Sequence, residues 1–259
     1  RYQKRRGIVN QYVKHLNRIE FVVTYACTGS CKHCSEGEHS RSGVHIDAEA
    51  AAGVVRDLAG HGITSVMTFG GEPLLCPETV YAIHAAAAER GVPKRQLITN
   101  GFVSRDSAKI KQTAGQLAHC GVNDVLLSVD AFHQETIPLA PVKEFAAELG
   151  KLGVGLRTHP AWVVGKGHQN PYNSRTAEIL AEFESMGIAQ SDGNHILPIG
   201  NARNYLSGYY DMDREYADPY AEDPTDLRAI SINPDGSVLD GNIYREPVLE
   251  LLERYAPQI

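Results

Sequence analysis

Cys27-Thr-Gly-Ser-Cys31-Lys-His-Cys34 places three thiols in one short loop, and no other stretch constrains the chain as much. It follows Ile19–Tyr25 (IEFVVTY), which is β-branched and aromatic, as a buried strand should be. The CxxxCxxC spacing lets three thiolates wrap one face of an iron–sulfur cubane, because a tight Gly/Ser-containing loop brings close cysteines to one point. Four cysteines normally complete the ligand set of such a cluster. Three leave one iron open to an exogenous chelating molecule. The competing reading is a zinc site with His39 as fourth ligand, since Cys₃His is a common zinc set. A structural zinc module, however, usually supplies its ligands as two pairs set well apart.

The remaining thiols, Cys76 and Cys120, make five in all. An odd number with three clustered suits a metal centre in a reducing cytoplasm better than a disulfide framework. Cys120 ends an apolar helix and reads as a buried thiol; Cys76 follows Gly70-Gly71-Glu72-Pro73 and reads as packing. A net charge of −6 argues against a nucleic-acid backbone as main partner. The basic start, Arg1 to Arg6, reads as the solvated part of an amphipathic lead-in carrying Ile8, Tyr12, Val13 and Leu16. No apolar run is long enough to span a membrane, and no secretory signal is visible. The first residue is Arg1 rather than Met, which leaves room for an upstream segment.

Strands alternate with helices along the rest of the chain. Strands are predicted at 65–69, 96–99, 124–129, 154–158 and 195–198. Helices are predicted from Asp47, a good N-cap, to about 59, then at 77–90, 106–118, 142–152 and 174–186. Regular alternation with right-handed crossovers gives a parallel sheet flanked by helices. Six such units make an α/β partial (β/α)₆ TIM-like barrel, not the eight that close a full one. The reading divides the chain into a lead-in (1–18), a barrel core (19–205) and a small C-terminal β-hairpin/helix appendage (206–259). Ala229–Leu239 is the hairpin, with Asn233-Pro-Asp-Gly236 as its turn, and Val248–Tyr255 is the helix.

In a parallel barrel the carboxyl ends of the strands face the reaction centre, and every motif falls at such an end. Gly70-Gly71-Glu72-Pro73 ends the second strand, Thr99-Asn100-Gly101 the third, and Ser128-Val-Asp130-Ala-Phe-His133 the fourth. Arg157 and His159 end the fifth, and Pro198-Ile-Gly200-Asn-Ala-Arg203 the sixth. Taken with CxxxCxxC about forty residues upstream of GGEP, these motifs resemble the radical S-adenosylmethionine (AdoMet) superfamily, over about residues 19–200. The resemblance implies one [4Fe–4S] cluster on Cys27, Cys31 and Cys34, with AdoMet at its open iron. It implies that Gly70, Gly71 and Glu72 receive the AdoMet amino group, so that a bulky residue at 71 should occlude the pocket. Ser128 and Asp130 are implied near the ribose. Asn100 reads either as an ordinary turn or as a cofactor contact. Arg157 reads either as a partner of the AdoMet carboxylate or as a salt bridge to a neighbouring acid; His133 reads as a loop cap or a catalytic group, and Arg203 as reaching cofactor or substrate. Trp162 reads as core.

His33 departs from the family pattern, which has an aromatic residue there; it keeps a flat ring without the usual apolarity. The hairpin resembles the SPASM/twitch appendage, yet no cysteine follows Cys120 in this sequence, so an appendage without thiolate ligands for an auxiliary cluster is expected. The chemistry implied is reductive AdoMet cleavage and hydrogen-atom abstraction from a peptide or amino-acid side chain. It would be fed by an electron donor such as flavodoxin or ferredoxin, with no nucleic acid or membrane as partner. Cofactor or small-molecule biosynthesis, glycyl-radical activation and a zinc-stabilised binding protein are the alternatives. The resemblance assigns no catalytic acid, base or hydrogen donor.

Overall fold

The computed structural model describes residues 10–39 and 43–258. The basic cluster at residues 1–6 and Ile8 lie outside the described residues. Among the described residues eleven strands and seven α-helices follow in order. They begin with β1 (Arg18–Val22), α1 (Ala48–Leu58), β2 (Ser65–Phe69), α2 (Pro77–Glu89), β3 (Lys94–Thr99) and α3 (Ser107–His119). Next come β4 (Asp124–Leu127), α4 (Leu139–Lys151), β5 (Gly155–Thr158), β6 (Ala161–Val163), α5 (Pro171–Glu184) and β7 (Ala189–Gln190). The chain closes with β8 (Asn194–Ile196), α6 (Gly200–Tyr205), β9 (Ala229–Ile232), β10 (Ser237–Val238), β11 (Gly241–Asn242) and α7 (Val248–Arg254).

Local chemistry explains the helix starts. Asp47 caps α1 by accepting the Ala50 N–H at 2.8 Å, and Asp106 caps α3 through the Ala108 N–H at 2.9 Å. At α5 Asn170 accepts the Asn173 N–H, with Pro171 in the first turn. That helix therefore begins three residues before the sequence expectation.

Seven strands form one sheet in the order β7-β5-β4-β3-β2-β1-β9, and every pairing in it is parallel. One face carries Ile19, Phe21, Val66, Leu97, Val125 and Leu127, fully buried in the core shared with α1 to α5. The other face places Ser231, Glu20, Met67, Gln96 and Asp124 in register across five strands. Apart from Met67 this row is polar, and side chains tie it on either side, Ser231 to Glu20 at 2.5 Å and Gln96 to Asp124 at 2.6 Å. The α/β partial-barrel class is thus as expected, with two differences in membership.

The sixth strand of the sheet is β7, not the segment at 195–198. The expected segment is displaced because β8 pairs with β6 in a separate two-stranded parallel sheet beyond the main one. At the other edge, β9 pairs with β1, whereas the sequence reading made it the first arm of a hairpin. The turn itself forms, with the Gly236 N–H on the Asn233 carbonyl, but β10 pairs with β11 instead. Ile230 and Ile232 explain the difference, since joining the sheet buries both side chains in the main core. The lead-in docks there too: Val13 and Leu16 are buried, and the Asn10 amide donates to the Leu252 and Tyr255 carbonyls at 2.8 Å each.

Candidate functional site

Three turns follow β1, β2 and β3 and are bonded to one another. After β1 the chain runs through Val23 and Thr24 into the cysteine loop; Cys31 is buried, Cys27 and Cys34 are half-buried, and all three are free thiols. Burial pushes Cys27 up to about 11, so a resting thiolate there needs a metal to displace the proton. The Gly29 N–H already points at the Cys27 sulfur, 3.3 Å away.

The turn after β2 lies directly beneath this loop. The Gly71 and Glu72 N–H groups donate to the Thr24 and Ala26 carbonyls, both at 2.8 Å. A Cβ on Gly71 would stand 2.1 Å from the Ala26 carbonyl oxygen, and one on Gly70 would stand 2.6 Å from that of Thr24. Two glycines are therefore required so that two backbones can touch. Glu72 does not open toward the mouth as a free carboxylate. It is 1 % exposed and accepts from the Leu74 N–H (2.9 Å), the Thr99 hydroxyl (2.7 Å) and the Asn100 N–H (2.9 Å). Burial raises its pKa, and these three donors oppose the rise. Its side chain joins the ends of β2 and β3.

Asn100 carries the connection on to the cysteine loop, donating to the Thr28 hydroxyl at 2.9 Å and reaching the Cys27 sulfur at 3.8 Å. The turn reading is realised, with the Phe102 N–H on Asn100 Oδ1 at 2.9 Å, and the amide lies beside the cysteine loop.

β4 ends at Leu127, two residues short of the predicted 124–129, so Ser128 and Asp130 lie in the turn beyond it. Ser128 is half-buried, with its N–H on the Thr99 carbonyl. Asp130 is fully buried and accepts four bonds: the N–H groups of Phe132, His133 and Ala161, and Nδ1 of His133, at 2.9 to 3.0 Å. Burial alone would raise its pKa, but His133 and these donors hold it well below the usual carboxylate range. Its carboxylate is spent within the turn rather than extended to a ribose. His133 is both a capped loop residue and a neighbour of the cluster loop. Its ligating atom and those of Cys31 and His33 lie within 4.8 Å of one another. Burial lowers the His133 pKa, and Asp130 and Cys31 outweigh it, leaving the group well above its ordinary value. His33 answers its own departure from pattern: burial brings it down to about 4, and the neutral ring packs on Phe132 at a centroid distance of 5.0 Å.

Arg157 is not delivered to this rim. Its guanidinium donates to both oxygens of Asp124, at 2.8 and 3.0 Å, at the amino end of β4. The salt-bridge reading is therefore the one realised, because Asp124 lies on the same face of the neighbouring strand. Arg203 is exposed, whereas its neighbour Asn201, outside the residues singled out from sequence, binds the cysteine loop. The Asn201 N–H donates to the Cys34 carbonyl at 2.9 Å, and its amide to those of Cys31 (3.1 Å) and Gly37 (3.2 Å). An Asn beside Gly200 at a helix start was the available signal. Trp162 is core, 3 % exposed.

Zinc on Cys27, Cys31, Cys34 and His39 would need all four atoms about 2.0 to 2.3 Å from one point. Among the described residues the compact ligand group is Cys31, His33 and His133, not that set. His39 instead bridges the Cys34 sulfur (3.3 Å) and the Tyr25 carbonyl (3.1 Å). Three separated, partly buried thiols with N–H donors on one of them fit a cluster better than a single ion. A cavity of about 580 Å³ lined by Cys27, Thr28, Lys32, His39, Asn201 and Tyr205 adjoins them.

The sequence model of the Radical SAM superfamily matches residues 21–153. PqqA peptide cyclase of Methylorubrum populi is 28 % identical over 251 residues, spanning 84 % of this chain and 63 % of its own. GTP 3′,8-cyclase of Chlorobaculum tepidum is 24 % identical over 128 residues, 49 % of this chain and 37 % of its own. The chain thus spans between about a third and two thirds of these curated relatives. The solved structure of native anSMEcpe with bound AdoMet superposes with a TM-score of 0.58 at 16 % identity, covering 92 % of this chain and 80 % of that one.

Proposed function

This chain belongs to the radical SAM superfamily, and from that premise we propose that it is an enzyme holding one [4Fe–4S] cluster on Cys27, Cys31 and Cys34. S-adenosyl-L-methionine binds at the open iron, and the substrate is a peptide or amino-acid side chain. The observation that carries this reading is the bonding of the cysteine loop to the turns after β2 and β3, which puts three thiols and a glycine turn on one rim. Held by Cys27, Cys31 and Cys34, the cluster would supply one electron, drawn from an external donor, for reductive cleavage of AdoMet and hydrogen-atom abstraction from the substrate.

The protein's own part is to hold and orient. Gly70 and Gly71 offer backbone groups to the methionyl amine, while Glu72 acts from behind them by fixing that turn to Thr99 and Asn100. Ser128 lies toward the ribose. Asp130 serves by setting the turn and the direction of His133. Support for the peptide substrate comes from the PqqA peptide cyclase match, which extends over 84 % of this chain, against 49 % for GTP 3′,8-cyclase. The second favours small-molecule or cofactor biosynthesis as the competing reading.

Anaerobic reconstitution should yield about four irons and four sulfides per chain, as one cubane requires. Dithionite should then release methionine and 5′-deoxyadenosine from AdoMet. Cys→Ala at 27, 31 or 34 should abolish both chromophore and cleavage, and the Cys76→Ala/Cys120→Ala pair should keep them. Loss of the same iron from that pair, or a reproducible eight irons, would refute the assignment.

A further inference from the structure

We propose that the side-chain amide of Asn100 is a positioning donor to the Cys27 sulfur and raises the reduction potential of the cluster held there. This rests on the cluster reading above and adds a residue to it. The amide has no freedom to face any other way. Its Oδ1 accepts the Phe102 N–H at 2.9 Å, so the NH₂ end is assigned by chemistry rather than by choice between look-alike atoms. That end has two protons and two acceptors, the Thr28 hydroxyl at 2.9 Å and the Cys27 sulfur at 3.8 Å. Asn100 is 4 % exposed, and its own N–H is held by the fully buried Glu72 carboxylate. Backbone and side chain are thus both pinned.

Cys27 also receives the Gly29 N–H, so two N–H donors meet at one half-buried sulfur. A thiol sulfur is a weak acceptor, whereas a metal-bound thiolate carries negative charge and accepts well. Reduction adds one more electron to the cluster, and donors on its sulfurs stabilise that form more than the oxidised one. Hydrogen bonds to the sulfurs are accordingly among the determinants of cluster potential. An amide supplies the effect without a charge of its own and at every working pH.

The test is an EPR-monitored redox titration of the reconstituted full chain as wild type, Asn100→Leu and Asn100→Asp. The leucine removes the donor. The aspartate keeps an acceptor for the Phe102 N–H and replaces the donor with a negative oxygen. Both variants should keep four irons and titrate at a more negative midpoint, aspartate the further of the two. An unmoved midpoint in both overturns the proposal. So does loss of the cluster from both, which would make the residue structural only. A wild-type chain that takes up no four-iron cluster would overturn the underlying cluster reading, and that result arrives before any variant is measured.

Discussion

Glu72 is legible in sequence, but the partners of its carboxylate are not. The GGEP turn is visible from the letters alone, but the partners of its carboxylate lie 27 and 28 positions away, at Thr99 and Asn100. Only the parallel pairing of β2 with β3 brings them together. Because the Leu74 and Asn100 groups are both N–H donors, the side chain must accept on both oxygens. Glu72→Gln leaves an NH₂ facing one of them. It should destabilise the cluster-free protein by about 1–3 kcal/mol, the cost of an unsatisfied buried donor. A urea midpoint equal to wild type would show the carboxylate to be dispensable. Arg157 and His33 taught the same lesson. Sequence left Arg157 between two partners, and strand register chose Asp124. It marked His33 as polar, and burial made it a neutral ring.

At the scale of elements, caps and breakers were the reliable signals, and short strands were not. Asp47, Asp106 and Pro77 announce their helices because capping is local chemistry. A three-residue strand such as β8 has too few side chains to declare which sheet it joins, and the two-residue β7 carries still less signal. The turn after β2 is the element whose role changes most. A bulky residue at 71 was expected to fill the AdoMet pocket, but the space beside Gly71 is occupied by the Ala26 and Tyr25 carbonyls. Gly71→Val should therefore push the cysteine loop itself, costing about 1–3 kcal/mol of strain and lowering iron uptake along with AdoMet affinity. Gly115→Ala in α3 is the contrasting case, since a Cβ there meets nothing within 4 Å. It should raise stability by about 0.5–1 kcal/mol with iron content unchanged. Thermal melts and iron assays on the two variants decide the matter; full iron loading in Gly71→Val would refute the close approach.

For the whole molecule, sequence periodicity conveyed the layered α/β plan but not which strand closes each edge, because edge choice depends on long-range burial. The division at 205/206 is where this matters. The sequence reading sets residues 206–259 apart as an appendage; within it, β9 pairs with β1 along four residues, and α7 packs into the same core. Ile230, Ile232, Leu251 and Leu252 are all at most 2 % exposed. At about 1.5–3 kcal/mol for each fully buried aliphatic side chain, the four together contribute roughly 6–12 kcal/mol. That is comparable to the entire net stability of a domain, about 5–15 kcal/mol. Removing them also bares β1 as an open edge beside the cysteine loop, a template for association. A chain ending at residue 205 should therefore show no cooperative thermal transition and should aggregate on concentration, whereas the full chain melts in one step. Circular dichroism melts with light scattering on both would decide it. A sharp transition in the shortened chain at the full-length midpoint would show that the barrel closes without its last strand.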